Sequence, residues 1–261
     1  MSRGSRRTAA VVLTAAAVGI CAAAGPGGAD ASGPAARAAA AVVPAPSARL
    51  AWTARIVAPV AVRAAPAASS RRSGSVSPVA KWNGGSVRLL VLESRHERGS
   101  AREHGGERLW LRVALPERPN GRSGWIDADA VQLAPVRWRV EVDVDARRAA
   151  AFRDGRQVRA WRVVVGAPGT VTPRGLFAVY ERVRQPAGSE LGPYALHLTS
   201  HSDTLFDYGG GRGRVALHGR AGALLADPLG SATSHGCVRM DSAVVAWLAA
   251  RAGPGTPVHV R

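Results

Sequence analysis

Between residues 136 and 145 the chain reads VRWRVEVDVD. Val136, Trp138, Val140, Val142 and Val144 alternate with Arg137, Arg139, Glu141, Asp143 and Asp145. Strict period-two alternation describes a strand with one buried face and one wet face. Other stretches downstream repeat the signal. AAAFR and RQVRAWRVVVG flank Asp154-Gly155, the composition of a tight hairpin turn. GLFAVYERV, YALHLTSH, GRVALHG and the closing TPVHVR read as further strands. One segment departs from this texture. In DSAVVAWLAARAG, Asp241 suits an N-cap, Val244, Val245 and Leu248 form one apolar face, and Gly253 marks an end. Residues 136–261 are therefore expected to form a mainly β domain with one clear C-terminal helix. Aromatic residues make up only 5% of the chain, so its core must rest on Val, Leu and Ala with a few Trp.

Two segments of different texture precede this domain. Residues 79–135 contain SVRLLVLESRHERG, RLWLRV, a Pro-Asn-Gly turn and a strand opening at Gly124-Trp125-Ile126. Short strands between Pro/Gly turns predict a small all-β subdomain. The WLRV…NGRSGWI arrangement loosely resembles the end of a bacterial Src-homology-three-like barrel, a module often used to hold cell-wall polymers. Residues 32–78 are rich in Ala, Pro, Ser and Arg and read as a disordered linker. Within them ARIVAPVAV is apolar enough for a strand or a crossing segment.

Residues 1–31 have the order of a secretory signal peptide: Arg3, Arg6 and Arg7, an apolar run from Ala9 to Ala24, then GPGG and Ala29-Asp30-Ala31. The protein is thus expected outside the cytoplasm, in the cell wall or extracytoplasmic space. Left uncleaved, the same run would be a membrane anchor. The chain has two cysteines, Cys21 and Cys237. Removal of the leader leaves Cys237 as the single thiol, in a compartment where thiols tend to be oxidised. The formal net charge of +17 is carried almost wholly by Arg, since Lys81 is the only lysine. Heavy Ala, Gly, Arg and Pro usage accounts for much of that charge as coding bias. No nucleic-acid module accompanies it. A basic surface also suits anionic wall polymers.

Cys237 lies in SATSHGCVRMDS, a Gly-containing polar loop, not an apolar run. A thiol near its ordinary pKa of about 8.5 needs a base to act as a nucleophile at neutral pH. His235 is two residues away, but neighbours in a tight loop often point apart. His218 ends the strand RVALH and can be delivered to a cleft without burial, so it is the expected base. The loop Ser234-His235-Gly236-Cys237 can turn backbone N–H groups of His235, Gly236 and Cys237 toward an oxyanion. Arg239 offers a planar fork for a substrate carboxylate, or pairs with a local acid such as Asp241. His197, His201, His218, His235 and Cys237 do not have the spacing of a structural zinc site.

His218-Gly219 followed by Ser234-His235-Gly236-Cys237-Val238-Arg239 resembles the signature of the L,D-transpeptidase (YkuD-type) catalytic domain. VDVDARRAAAFRDGRQVRAWRVVVGAPGTVTPRGLFAV and LGPYALHLTSHS agree with it, and the resemblance covers residues 136–261. It implies a β-sandwich-like catalytic domain without metal or organic cofactor. It implies transfer of a peptidoglycan stem peptide, with Cys237 as acyl carrier, D-Ala as leaving group and a second stem as acceptor, building cross-links in the cell wall. His218 would serve as base and then acid, and the Gly219 carbonyl would orient it. Arg239 and Tyr194 are candidate substrate contacts. Many members carry Asn near position 242, where this chain has Ser242, which bears on substrate positioning. Two other readings stand beside this one. Water as acceptor would make the protein an L,D-carboxypeptidase, and loss of chemistry would leave a wall-binding protein. A monomer is expected.

Overall fold

The computed structural model describes residues 42–97, 107–207 and 213–261. The proposed signal peptide lies outside them. Seven strands come first: β1 (Ala51–Ile56), β2 (Val60–Arg63), β3 (Arg72–Val76), β4 (Arg88–His96), β5 (Leu109–Ala114), β6 (Ser123–Asp127) and β7 (Val131–Val136). They form one antiparallel sheet in the order β3-β2-β6-β5-β4-β1-β7. Its core holds Ile56, Val62, Leu89, Val91, Leu111, Val113 and Ile126.

The expectation of a disordered linker over 32–78 is therefore corrected from Ala51 onward. Three of the seven strands lie in that stretch. Ala51, Ala54, Ile56, Val60 and Val62 are buried. Small side chains at buried positions make Ala-rich composition look like linker, yet β1 is an interior strand between β4 and β7. The all-β unit expected over 79–135 begins earlier than the sequence boundary suggested.

Only Arg137 separates β7 from the second group of strands. These are β8 (Trp138–Asp143), β9 (Arg148–Arg153), β10 (Arg156–Arg162), β11 (Val165–Gly166), β12 (Gly175–Arg184), β13 (Tyr194–His201), β14 (Arg214–His218), β15 (Ala232–Ser234), β16 (Val238–Arg239) and β17 (Pro257–Val260). Eight of them form a mixed sheet ordered β10-β9-β8-β17-β12-β13-β14-β16, and β11 pairs with β15. The alternation in VRWRVEVDVD does what period two requires: Val140 and Val142 are buried on one face of β8. Asp154 and Gly155 take φ of 54° and 81° in the β9–β10 turn, the left-handed pair that hairpin twist favours.

One core cluster draws on both ends of this sheet, from Ala149 and Trp161 to Leu217 and Val238. The sheet thus wraps around its own core. The α-helix α1 (Ser242–Ala249) closes it with buried Val244, Val245 and Leu248. Asp241 is its N-cap residue but makes no side-chain cap bond; its carboxylate instead accepts from Arg220 at 3.1 Å. The helix ends at Ala249, before Gly253, and its last turn tightens as the Arg251 N–H reaches the Leu248 carbonyl three residues back.

The two sheets are joined by specific contacts. Ala178 of β12 packs with Ala51, Leu90 and Ala114 of the first sheet. The Asn120 amide exchanges two hydrogen bonds with the His201 backbone, at 2.7 and 2.8 Å. Arg214 donates to the Pro116 carbonyl at 3.2 Å. The sequence boundary near 135 is a change of sheet.

Candidate active site

β14 and β16 run parallel, with Leu217 opposite Val238 and His218 opposite Arg239. Leu217, Val238 and Met240 turn into the core. Alternation then places Ala216, His218, Cys237 and Arg239 on the opposite face. Cys237 and His218 become diagonal neighbours across the pair. His235 is exposed to solvent.

The state of the pair follows from its surroundings. His218 is only 3% exposed. Its Nδ1 lies 2.8 Å from the Gly219 carbonyl oxygen. A carbonyl can only accept, so Nδ1 carries the proton and Nε2 presents a lone pair. Burial pulls the imidazole pKa down from 6.5 to about 4; the Gly219 bond opposes the fall, and the positive fields of Arg239 and His197 add to it. Burial also pushes the Cys237 thiol above its ordinary value, against a backbone hydrogen bond from Ala216 and the Arg239 guanidinium. Both directions favour a neutral thiol beside a neutral imidazole. Such a pair works by general-base activation at the moment of attack.

Gly219 has to be glycine. A Cβ there would lie 2.8 Å from Ser242 Oγ and 3.1 Å from both the Leu191 carbonyl oxygen and Gly192 Cα. Ser242 explains part of this crowding. Its hydroxyl donates to the Arg220 carbonyl at 2.8 Å and accepts from the Arg220 N–H at 3.3 Å. Ser242 thus fixes the backbone that follows the histidine.

The nucleophile loop is tied down from within. Ser234 Oγ donates to the Cys237 carbonyl at 2.6 Å and accepts from the Gly236 N–H at 3.2 Å. Ser234 is therefore a brace, fully buried, and not an oxyanion donor. The Gly236 N–H is committed to that brace too, leaving those of His235 and Cys237 as the loop's donors. Gly236 takes φ of 111°, a conformation L side chains rarely adopt.

A second support comes from the turn after β11. Buried Thr172 accepts from the Gly166 N–H at 2.9 Å and donates to the Gly236 carbonyl at 3.0 Å. Thr170 Oγ1 donates to the Ser234 carbonyl at 2.7 Å. Sequence reasoning passed over both threonines, because a hydroxyl in GTVT reads only as turn composition. Thr172→Val keeps the shape and removes both bonds, leaving a buried donor and a buried acceptor unsatisfied. The expected cost is about 1–3 kcal/mol, read as a lower denaturant midpoint with an unchanged slope.

The two expected substrate contacts, Arg239 and Tyr194, lie on opposite faces of the sheet. Arg239 is 8% exposed, and its guanidinium pairs with Asp227, not with Asp241, the local acid expected from spacing. Its buried Nε makes no hydrogen bond to the described residues. Tyr194 packs against the core cluster with Leu196 and Leu198, because even-numbered residues of β13 face inward while Ala195 lies opposite His218. Its ring is therefore on the wrong side of the sheet for the Cys237–His218 pair.

A family model described as the L,D-transpeptidase catalytic domain (YkuD) matches residues 137–260. A Bacillus licheniformis protein named L,D-transpeptidase YkuD is 30% identical over 160 residues, 59% of this chain and 87% of that protein. Among solved structures, an L,D-transpeptidase from Mycobacterium smegmatis is similar at 17% identity with a TM-score of 0.40, over 66% of this chain and 99% of that one. The Enterococcus faecium L,D-transpeptidase C442S mutant is similar at 23% identity with a TM-score of 0.34; the match spans 47% of this chain and about half of that one, 49%. Sequence relationship at this level places the chain in the L,D-transpeptidase (YkuD) family, with its catalytic domain at residues 137–260.

Proposed function

We propose that the protein is an exported cysteine transpeptidase that carries a peptidoglycan stem peptide as a thioester on Cys237. The observation that supports this most is the diagonal placement of Cys237, just before β16, and His218, at the end of β14, with Nδ1 held by Gly219 so that Nε2 is the free nitrogen. In the first half-reaction, His218 Nε2 takes the thiol proton as sulfur attacks the carbonyl of the residue preceding a terminal D-Ala. The N–H groups of His235 and Cys237 receive the negative oxygen. The C–N bond then breaks, His218 returns the proton to the departing amine, and D-Ala leaves. In the second half-reaction an amine from another stem attacks the thioester and gives its proton to His218. The C–S bond breaks, the sulfur is reprotonated and a cross-link remains.

The test uses a carbapenem, whose strained ring acylates such a thiol without a leaving group. The full-length protein should gain the mass of one intact inhibitor molecule, and Cys237→Ala should gain none. Reduced, folded protein that stays unmodified would overturn the proposal.

A further inference from the structure

A cavity of about 550 Å³ lies between the two sheets. Lys81, Trp82 and Glu117 line it from the first sheet's side, and Tyr180, Leu191 and His197 from the catalytic sheet. Clefts at such junctions are common ligand sites. The catalytic wall belongs to the face that carries the Cys237–His218 pair. His197 lies opposite Ala216, whose backbone bonds to the Cys237 thiol. The Leu191 carbonyl accepts the Gly219 N–H at 2.8 Å.

The roof of the cleft is held in place. The Trp82 N–H donates to the Glu181 carboxylate, at 3.2 and 3.3 Å to its two oxygens. Asn83 Nδ2 donates to the Arg182 carbonyl at 3.1 Å. The Trp82 ring stacks on His197 with centroids 6.3 Å apart and planes 14° from parallel. Lys81 Nζ stands 5.8 Å from that ring, and Lys81 is exposed. An ammonium group, a carboxylate at Glu117 and two aromatic walls, Trp82 and Tyr180, face one space. That combination suits a peptide bearing both carboxylate and amine groups.

The side on which the cleft lies assigns its occupant. The donor carbonyl has to sit against the His235–Cys237 loop, which is braced by the turn carrying Thr170 and Thr172. The cleft lies on the other side, where its lining residues His197 and Leu191 neighbour Ala216 and Gly219, the residues on either side of Leu217-His218. An amine that attacks the thioester must hand its proton to His218 Nε2 and therefore arrives from that side. We infer that the cleft between the sheets is the acceptor subsite, which holds the amine-bearing peptide stem that resolves the thioester, with Lys81 receiving a stem carboxylate and Trp82 its flank. This rests on the thioester chemistry of the preceding section. It gives the first sheet a part in choosing the acceptor.

The test measures how the acyl-enzyme divides between amine and water. Disaccharide-tetrapeptide serves as donor and acceptor, and cross-linked dimer is counted against trimmed disaccharide-tripeptide. This ratio does not depend on how much enzyme is acylated. Lys81→Glu and Trp82→Ala should each lower it about tenfold at low acceptor concentration, as expected for loss of one charge-assisted or stacking contact. Raising the acceptor concentration should restore it, as should Lys81→Arg. An unchanged ratio in both variants overturns the inference, and so does a fall that acceptor concentration fails to restore. Wild-type protein that only hydrolyses also overturns it while leaving the thioester intact. Protein that takes up no carbapenem overturns the thioester reading itself, and the acceptor site falls with it.

Discussion

His218→Asn is expected to slow acylation of Cys237 by about 10²–10⁴-fold at neutral pH, the range lost with a positioned general base. Asn is the informative replacement because its side-chain amide can still donate to the Gly219 carbonyl, which accepts from Nδ1 at 2.8 Å in the native chain. The variant therefore keeps the loop's bond and loses only the lone pair of Nε2. The pH profile separates this from a folding defect. In the native protein the imidazole is neutral down to about pH 4, so base catalysis operates across the neutral range. Without it the reaction needs pre-formed thiolate. Burial holds the thiol above its ordinary pKa, so thiolate is scarce at neutral pH and increases tenfold per pH unit below that pKa. The deficit of the variant should shrink steadily as pH rises, measured by carbapenem acylation at a series of pH values. A deficit constant across pH would mean that His218 acts on the structure and not on the proton.

Much of this site was legible because its chemistry uses rare residues. A cysteine in a polar Gly-containing loop, a strand-end histidine and a Ser-His-Gly run stand out in a chain dominated by Ala, Arg and Val. The strands were legible for a related reason: buried Val and Leu at period two leave a pattern in β8, β13 and β14 whatever lies around them. Parts of the rest depended on relationships between distant residues, which spacing cannot carry. Thr172 supports Gly236 across 64 positions, and Asp227 reaches Arg239 because the chain folds back before β15. Tyr194 illustrates the converse. It sits next to Ala195, which lies opposite His218, yet one residue of offset on a strand turns a side chain to the other face. Residues 51–63 were placed inside a linker, with only ARIVAPVAV noted as a possible strand, because a strand whose buried positions include alanine has weak contrast. Its partners in β4 and β7 supply the burial that its own composition does not announce.

Asp227→Asn is expected to produce two effects of opposite sense. Arg239 is nearly buried and its guanidinium pairs with the Asp227 carboxylate. Removing that anion leaves a buried cation without its counter-charge. Losing one partner of a fully buried pair costs about 3–5 kcal/mol, and a carboxylate that is 29% exposed belongs at or below the lower end of that range. The loss should appear as a reduced unfolding free energy in denaturant. The same change exposes the active site to an uncompensated positive field. The Arg239 guanidinium already pulls the Cys237 thiol downward against burial, and Asp227 offsets part of that field. Without the anion the thiolate is favoured, so the midpoint for iodoacetamide alkylation of Cys237 should move to lower pH. Local opening of a weakened fold would also speed alkylation. It would do so by exposing a thiol with an ordinary pKa, however, so the two causes differ in where the rate levels off. Levelling off below the native value, yet away from the ordinary thiol value of about 8.5, identifies the field of Arg239. Levelling off at that value identifies opening, and would show that Asp227 acts on the site only through stability.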